Sequence, residues 1–349
     1  MFADELDYVI GVDTHRDEHV IAVVAAPTGA VVAQHSVGAD RAGYEEAVAF
    51  VARFAVGARV WAVEGTGCYG AGLTRMLTAR GETVCEASRP PRAQRRTRGK
   101  DDALDALLTA RTLLGAGTGA LPRLGERRDA LRLLLITRRS AVDVRRQALV
   151  QLRAVIVTAP EELRDELRRL PLQRLLERCS RLRRRAGAAP DELATRLVLR
   201  ALARRVQAAT AEAKDLETEI AAHVQVLGPA LLEEPGVGPI VAAQLIIAWS
   251  HQGRLRSEAA FARLAGVAPL PASSGQTIRH RLSRGGDRQL NRALHTVILH
   301  RRHHDPTTID YIARRVAEGK TQREAVRLLK RYLARHLYRV LDHQAAAMT

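Results

Sequence analysis

Cysteine is nearly absent from this chain: Cys68, Cys85 and Cys179 are the only three in 349 residues. They share no metal-ligand spacing and are too few for a disulfide framework, so structural thiols in a reducing compartment are expected. No apolar run approaches the roughly 18 residues of a membrane span. The opening Met-Phe-Ala-Asp-Glu-Leu-Asp also lacks the basic-then-apolar order of a signal peptide. These absences exclude a disulfide-stapled secreted domain and a membrane protein, and a soluble cytoplasmic protein is expected. Lysine is scarce too, supplying four of the 55 basic residues.

What is present is arginine. The formal charge is +17, carried almost entirely by a side chain that grips phosphate bidentately and stays charged. The charge is unevenly placed. Residues 1–87 hold 6 Arg against 12 Asp and Glu, whereas residues 251–349 hold 19 Lys and Arg against 7 acids. An acidic part suited to metal and a basic part suited to nucleic acid follow.

Four carboxylates stand out in the acidic part. Asp13 closes Val-Ile-Gly-Val-Asp and Glu64 closes Trp-Ala-Val-Glu, two short apolar runs that read as buried strands. Asp102 and Asp105 lie three residues apart at the start of a helical pattern, on one helix face. Acids that converge at one pole of an α/β sheet are suited to hold Mg²⁺, and two divalent ions about 4 Å apart support phosphodiester chemistry. His15, His19, His303 and His304 lack zinc spacing and read as surface or helix-end histidines, with His15 nearest the acids.

Runs at Tyr8 to Asp13, His19 to Ala26 and Ala30 to Val37 predict a three-strand meander. A helix (42–54), a strand (59–64), a helix (70–79), a strand (83–87) and a helix (103–114) follow. This βββαβαβα order, with its acids at strand ends, is that of the ribonuclease-H-like, or RuvC-like, fold. Between the last strand and helix, Arg89, Arg92, Arg95, Arg96, Arg98 and Lys100 form an acid-free basic run suited to a nucleic-acid backbone. Beyond residue 120, two long amphipathic helices with heptad-like apolar stripes predict either a coiled-coil arm that dimerises or an intrachain hairpin. From residue 229 a mostly helical unit begins. Its Pro235-Gly236-Val237-Gly238-Pro239 has the form of a helix-hairpin-helix, in which Gly236 and Gly238 would meet phosphate through backbone N–H groups. The expected domains are therefore 1–120, 121–228 and 229–349.

A Pro- and Gly-framed turn, Ala272-Ser273-Ser274-Gly275, is followed by Arg279, Arg281, Arg284 and Arg288. A hydroxyl there is a candidate nucleophile toward a phosphodiester, with guanidinium groups offsetting transition-state charge. In this order, Gly11 to Arg16, Glu64 to Gly67, Lys100 to Ala106, Pro235 to Pro239 and Leu264 to Asp287 resemble the insertion-sequence transposases often called the IS-one-ten family. These carry an N-terminal RuvC-like DEDD domain and a C-terminal transposase domain. The resemblance implies that Asp13, Glu64, Asp102 and Asp105 form the metal-binding tetrad and that Ser273 makes a covalent phosphoserine link to DNA. It further implies double-stranded DNA (element ends and target) as substrate, a structured noncoding guide RNA as partner, and a homo-oligomer, dimer or tetramer. The alternative is a Holliday-junction-resolvase-like nuclease in which water attacks and the C-terminal unit only binds.

Overall fold

The structure is a computed structural model that describes residues 5–87, 102–117, 119–271, 280, 281 and 285–348. The basic run from Arg89 to Lys100 and Ser273 lie outside these residues. The chain forms two compact units that interleave in sequence. One joins Met1–Asp129, Ala248–Asn291 and Arg323–Thr349; the other joins Ala130–Ile247 and Arg292–Gln322.

The first unit is built on a five-stranded sheet of β1 (Tyr8–Thr14), β2 (Glu18–Ala25), β3 (Val31–Gly38), β4 (Arg59–Glu64) and β5 (Val84–Ala87), in the order β3-β2-β1-β4-β5. The first three strands form an antiparallel meander, and β4 and β5 add in parallel through helical crossovers. β1, β2 and β4 are buried on both faces, as their β-branched runs demand, whereas β3 alternates at the edge. One face packs Ile10, Val12, Ile21, Val23, Trp61 and Val63 under α1 (Arg41–Phe54) and α2 (Ala71–Ala79). Asp40 caps α1 by accepting from the Gly43 amide at 2.8 Å. The other face packs Val9, Val24, Val60 and Ala62 under Ala110 and Leu113 of α3 (Asp102–Ala116). Each fully buried aliphatic side chain of this size contributes about 1.5–3 kcal/mol.

Side chains alternate along a strand, so Val9, Gly11 and Asp13 share the α3 face. In the parallel register Val9 faces Val60 and Gly11 faces Ala62, which brings the end of β1 beside Glu64 on the same face. Gly11 lets α3 settle directly on the strand. A methyl group there would overlap the Ala106 carbonyl oxygen and lie 2.8 Å from the Ala110 nitrogen.

The rest of the first unit is mostly helical, with a short antiparallel pair of β6 (Leu270–Pro271) and β7 (His280–Arg281). α10 (Glu258–Leu264) starts at Ser257, whose hydroxyl accepts from the Ala260 amide, and packs with α13 (Gln322–Met348). Glu258 is ion-paired to Arg335, the Phe261 and Tyr338 rings lie 5.9 Å apart, and the Tyr338 hydroxyl donates to the Leu255 carbonyl at 2.8 Å. This part is joined to the sheet by Arg254, which donates to Glu86 of β5 at 2.8 Å.

In the second unit, α4 (Glu126–Val157) and α7 (Pro190–Leu227) contribute Leu152, Ile156, Leu199, Leu202 and Val206 to one core. That core also takes Leu163 and Leu167 of α5 (Glu161–Leu167) and Leu175 and Cys179 of α6 (Leu172–Ser180). The apolar seams therefore close within the chain. α8 (Pro229–Leu232) and α9 (Pro239–Trp249) flank the glycine turn at residue 236. The second unit also takes all but the first residues of α11 (Arg288–His304), and α12 (Pro306–Ala317). No helix among the described residues is long and apolar enough to cross a membrane.

Replacing Gly11 with alanine forces either β1 or α3 to move, because the obstacle is backbone rather than a flexible side chain. We expect Gly11→Ala to lower stability by about 1–3 kcal/mol. A urea midpoint equal to that of the wild type would show that α3 does not rest on β1 as described.

Candidate metal centre

The first turn of α3 stands over the ends of β1 and β4, and three of its neighbours form a compact set. One ligand atom from each of Asp13, His15 and Asp102 lies within 4.8 Å of the others. The His15 ring sits between the two carboxylates, with Nδ1 3.8 Å from an Asp13 oxygen and Nε2 3.9 Å from an Asp102 oxygen. Asp13 and Glu64 are buried, whereas His15 and Asp102 are partly open to solvent.

Glu64 and Asp105 stand outside that trio but act on it. The Asp13 carboxyl is pushed up to about 6, chiefly by burial. His15 opposes the shift, and the charges of Glu64, Asp105 and Asp102 add to it. All four acids thus share one electrostatic site. The Thr14 hydroxyl donates to the Glu64 carbonyl at 2.9 Å and locks the two strand ends together. Beyond Glu64 the chain turns sharply at Gly65, whose φ of 64° favours glycine. The Gly65 carbonyl then accepts from the Cys68 amide at 2.8 Å.

The donor set suits a hard divalent cation: carboxylate oxygens at a pole where burial first, and then the charges of the neighbouring acids, raise the Asp13 carboxyl. A cation at this pole would offset that concentration of negative charge. His15, read from the sequence as a surface histidine nearest the acids, joins them here. Its signal was proximity, two residues beyond Asp13 in a two-stranded hairpin.

The other candidate residues fall elsewhere. Arg89, Arg92, Arg95, Arg96, Arg98, Lys100, Ser273, Arg279 and Arg284 lie outside the described residues, and Arg281 is described only as backbone in β7. The segments on either side of Ser273 are held together: the Asp287 amide donates to the Leu264 carbonyl at 2.7 Å, and the Asn291 side chain to the Ala265 carbonyl at 2.8 Å. Lys330 of α13 in turn donates to Asn291 at 3.1 Å. Arg288 is exposed at the start of α11. In the second unit Gly236 adopts φ 78° and lies against His300, while the Cβ position of Gly238 is open. Arg301 fixes that turn, donating to the Pro235 carbonyl at 2.7 Å and pairing with Glu234 at 2.9 Å.

Comparison with known proteins adds to this geometry. Residues 10–159 match the model of a transposase family of the DEDD IS110 type, and residues 228–313 match that of the Transposase IS116/IS110/IS902 family. The "Insertion element IS110 uncharacterized 43.6 kDa protein" of Streptomyces coelicolor is 33% identical over 148 residues. That stretch is 42% of this chain and 36% of the relative, so the chain spans about a third of the curated relative it matches.

Asp13 ionises at higher pH in the folded chain than in the unfolded chain, so between about pH 4 and 6 the folded state binds more protons. Stability of the metal-free protein therefore falls as pH rises through that window, by on the order of 3 kcal/mol. Asp13→Asn should lose this component and exceed the wild type in urea midpoint at pH 7.5 in chelator. Parallel pH profiles for the two proteins would refute it.

Proposed function

From the premise that this chain belongs to the IS116/IS110/IS902 family of transposases, we propose that it cuts and rejoins double-stranded DNA to move an insertion element. The observation that carries this reading is the acid pole. One strand-end carboxylate, Glu64, and two from the first turn of one helix, Asp102 and Asp105, act on the buried Asp13 within the stretch that the DEDD family matches. The sheet order with these acids at its strand ends supports a ribonuclease-H-like (RuvC-like) N-terminal domain over residues 1–120. The turn at Gly236 supports a helix-hairpin-helix within a C-terminal transposase domain, and residues 121–228 supply the helical arm.

In this reading Asp13, Glu64, Asp102 and Asp105 hold Mg²⁺, which when bound supplies charge neutralisation at the attacking and leaving oxygens. Ser273 is the nucleophile. Its oxygen attacks the scissile phosphorus, a phosphoserine bond forms as the bond to the 3′ oxygen breaks, and the serine proton ends on the released 3′-hydroxyl. A 3′-hydroxyl from a new DNA partner then attacks the phosphoserine, restores the serine and joins the strands. Arg288 and the arginines of the serine segment offset charge on the phosphate. The arginine excess supports a structured guide RNA as partner, held through its backbone, and strand exchange between two duplexes calls for a dimer or tetramer.

Denaturing gels of the full chain with element-end DNA and Mg²⁺ test this. The wild type should give a denaturation-resistant protein–DNA adduct, Ser273→Ala none, and Asp13→Asn at least about a 100-fold slower reaction. Cleaved DNA with no adduct in the wild type would instead indicate water as the nucleophile and sink the serine step.

A further inference from the structure

The turn between β1 and β2 begins at His15, whose amide donates to the Glu18 carbonyl at 3.0 Å. Thr14 and His19 make the last pair of the ladder, so His15 stands one position beyond it. Its ring lies between carboxylates from two different elements, with Nδ1 3.8 Å from an oxygen of Asp13 on β1 and Nε2 3.9 Å from an oxygen of Asp102 on α3.

Those separations are too long for hydrogen bonds, which between such groups close to about 2.7–3.0 Å. Other imidazoles of the sheet do reach that range: the His19 ring meets the Glu18 carbonyl at 3.0 Å and His35 meets the Glu46 carboxylate at 2.7 Å. Neither ring nitrogen of His15 makes a hydrogen bond among the described residues. Donor atoms this far apart can instead share one ion, since two metal–ligand bonds of about 2.1 Å span up to about 4.2 Å. The spacing extends to all three residues, whose ligand atoms lie within 4.8 Å of one another. The His15 and Asp102 side chains are 40% and 39% exposed, which leaves this side of the pole open to an incoming ion.

An imidazole changes which ion such a pole prefers. Mg²⁺ favours oxygen ligands and gives up its waters reluctantly, whereas a nitrogen donor raises affinity for first-row transition ions. Of these, Mn²⁺ is the one that also suits carboxylates.

We propose that His15 is a ligand at the acid pole, binding the ion through one ring nitrogen beside Asp13 and Asp102, and that this mixed nitrogen–oxygen centre takes Mn²⁺ in preference to Mg²⁺. That the pole holds a divalent ion at all rests on the transposase reading; the part His15 plays in choosing the ion rests on the geometry of its ring.

The test uses the full chain, freed of metal with chelator and desalted, as wild type and His15→Ala. Mn²⁺ is titrated alone and against Mg²⁺, free Mn²⁺ being read from its electron paramagnetic resonance signal, and pulsed spectra of the bound ion report any directly coordinated nitrogen. The wild type should show that nitrogen coupling and bind Mn²⁺ more tightly than Mg²⁺. His15→Ala should lose the coupling and bind Mn²⁺ about tenfold more weakly, with Mg²⁺ affinity little changed. Bound Mn²⁺ without nitrogen coupling in the wild type overturns the ligand, and this outcome does not depend on how the variant folds. Equal weakening of both ions in His15→Ala overturns the selectivity. Failure of the transposase reading is seen separately, as a wild type that binds Mn²⁺ through nitrogen and never joins DNA strands.

Discussion

The contact on which the acid pole depends is between two backbones, where β1 passes under α3 at Gly11. Helices usually lie about 10 Å from a sheet because side chains separate them. Here a hydrogen atom is all that stands between the strand and the Ala106 carbonyl. The small Ala106 and Ala110 complete the fit, both fully buried. Because α3 sits this low, its first turn reaches the end of β1, and carboxylates more than 85 residues apart in the chain repel one another across a buried site. The pole is assembled by shape, against its own electrostatics. Burial and the neighbouring carboxylates together raise the Asp13 carboxyl, and a cation would offset both.

Glycine shapes the loop that leaves the pole. Gly65 makes the turn past Glu64, and Gly67 leaves room for the Arg123 and Arg128 side chains that cover it.

Much of this was legible in the sequence. β-branched runs marked the strands of the sheet, and acids at the ends of two such runs marked the pole, since a carboxylate closing a buried strand has few structural reasons to be there. The alternation of β1 also placed Gly11 and Asp13 on one face. Other features were not legible, for stated physical reasons. His15 is a single imidazole with no ligand spacing, and only the hairpin geometry shows it lying between Asp13 and Asp102. The partnership of Glu86 with Arg254 spans 168 residues, and no local pattern signals it. The apolar stripes of α4 and α7 fit a dimer seam or an intrachain hairpin equally well. The short helices α5 and α6, remote from any stripe, fill a core shared by the two long helices within the chain.

The interleaving of the two units bears on how the protein is made. A ribosome delivers Met1–Asp129 first, yet the unit to which those residues belong also takes Ala248–Asn291 and the final helix. Until they emerge, the half-buried Glu86 has Arg123 of its own segment but lacks Arg254 from the later chain. A product that stops before Arg323–Thr349 therefore lacks part of the very unit it begins.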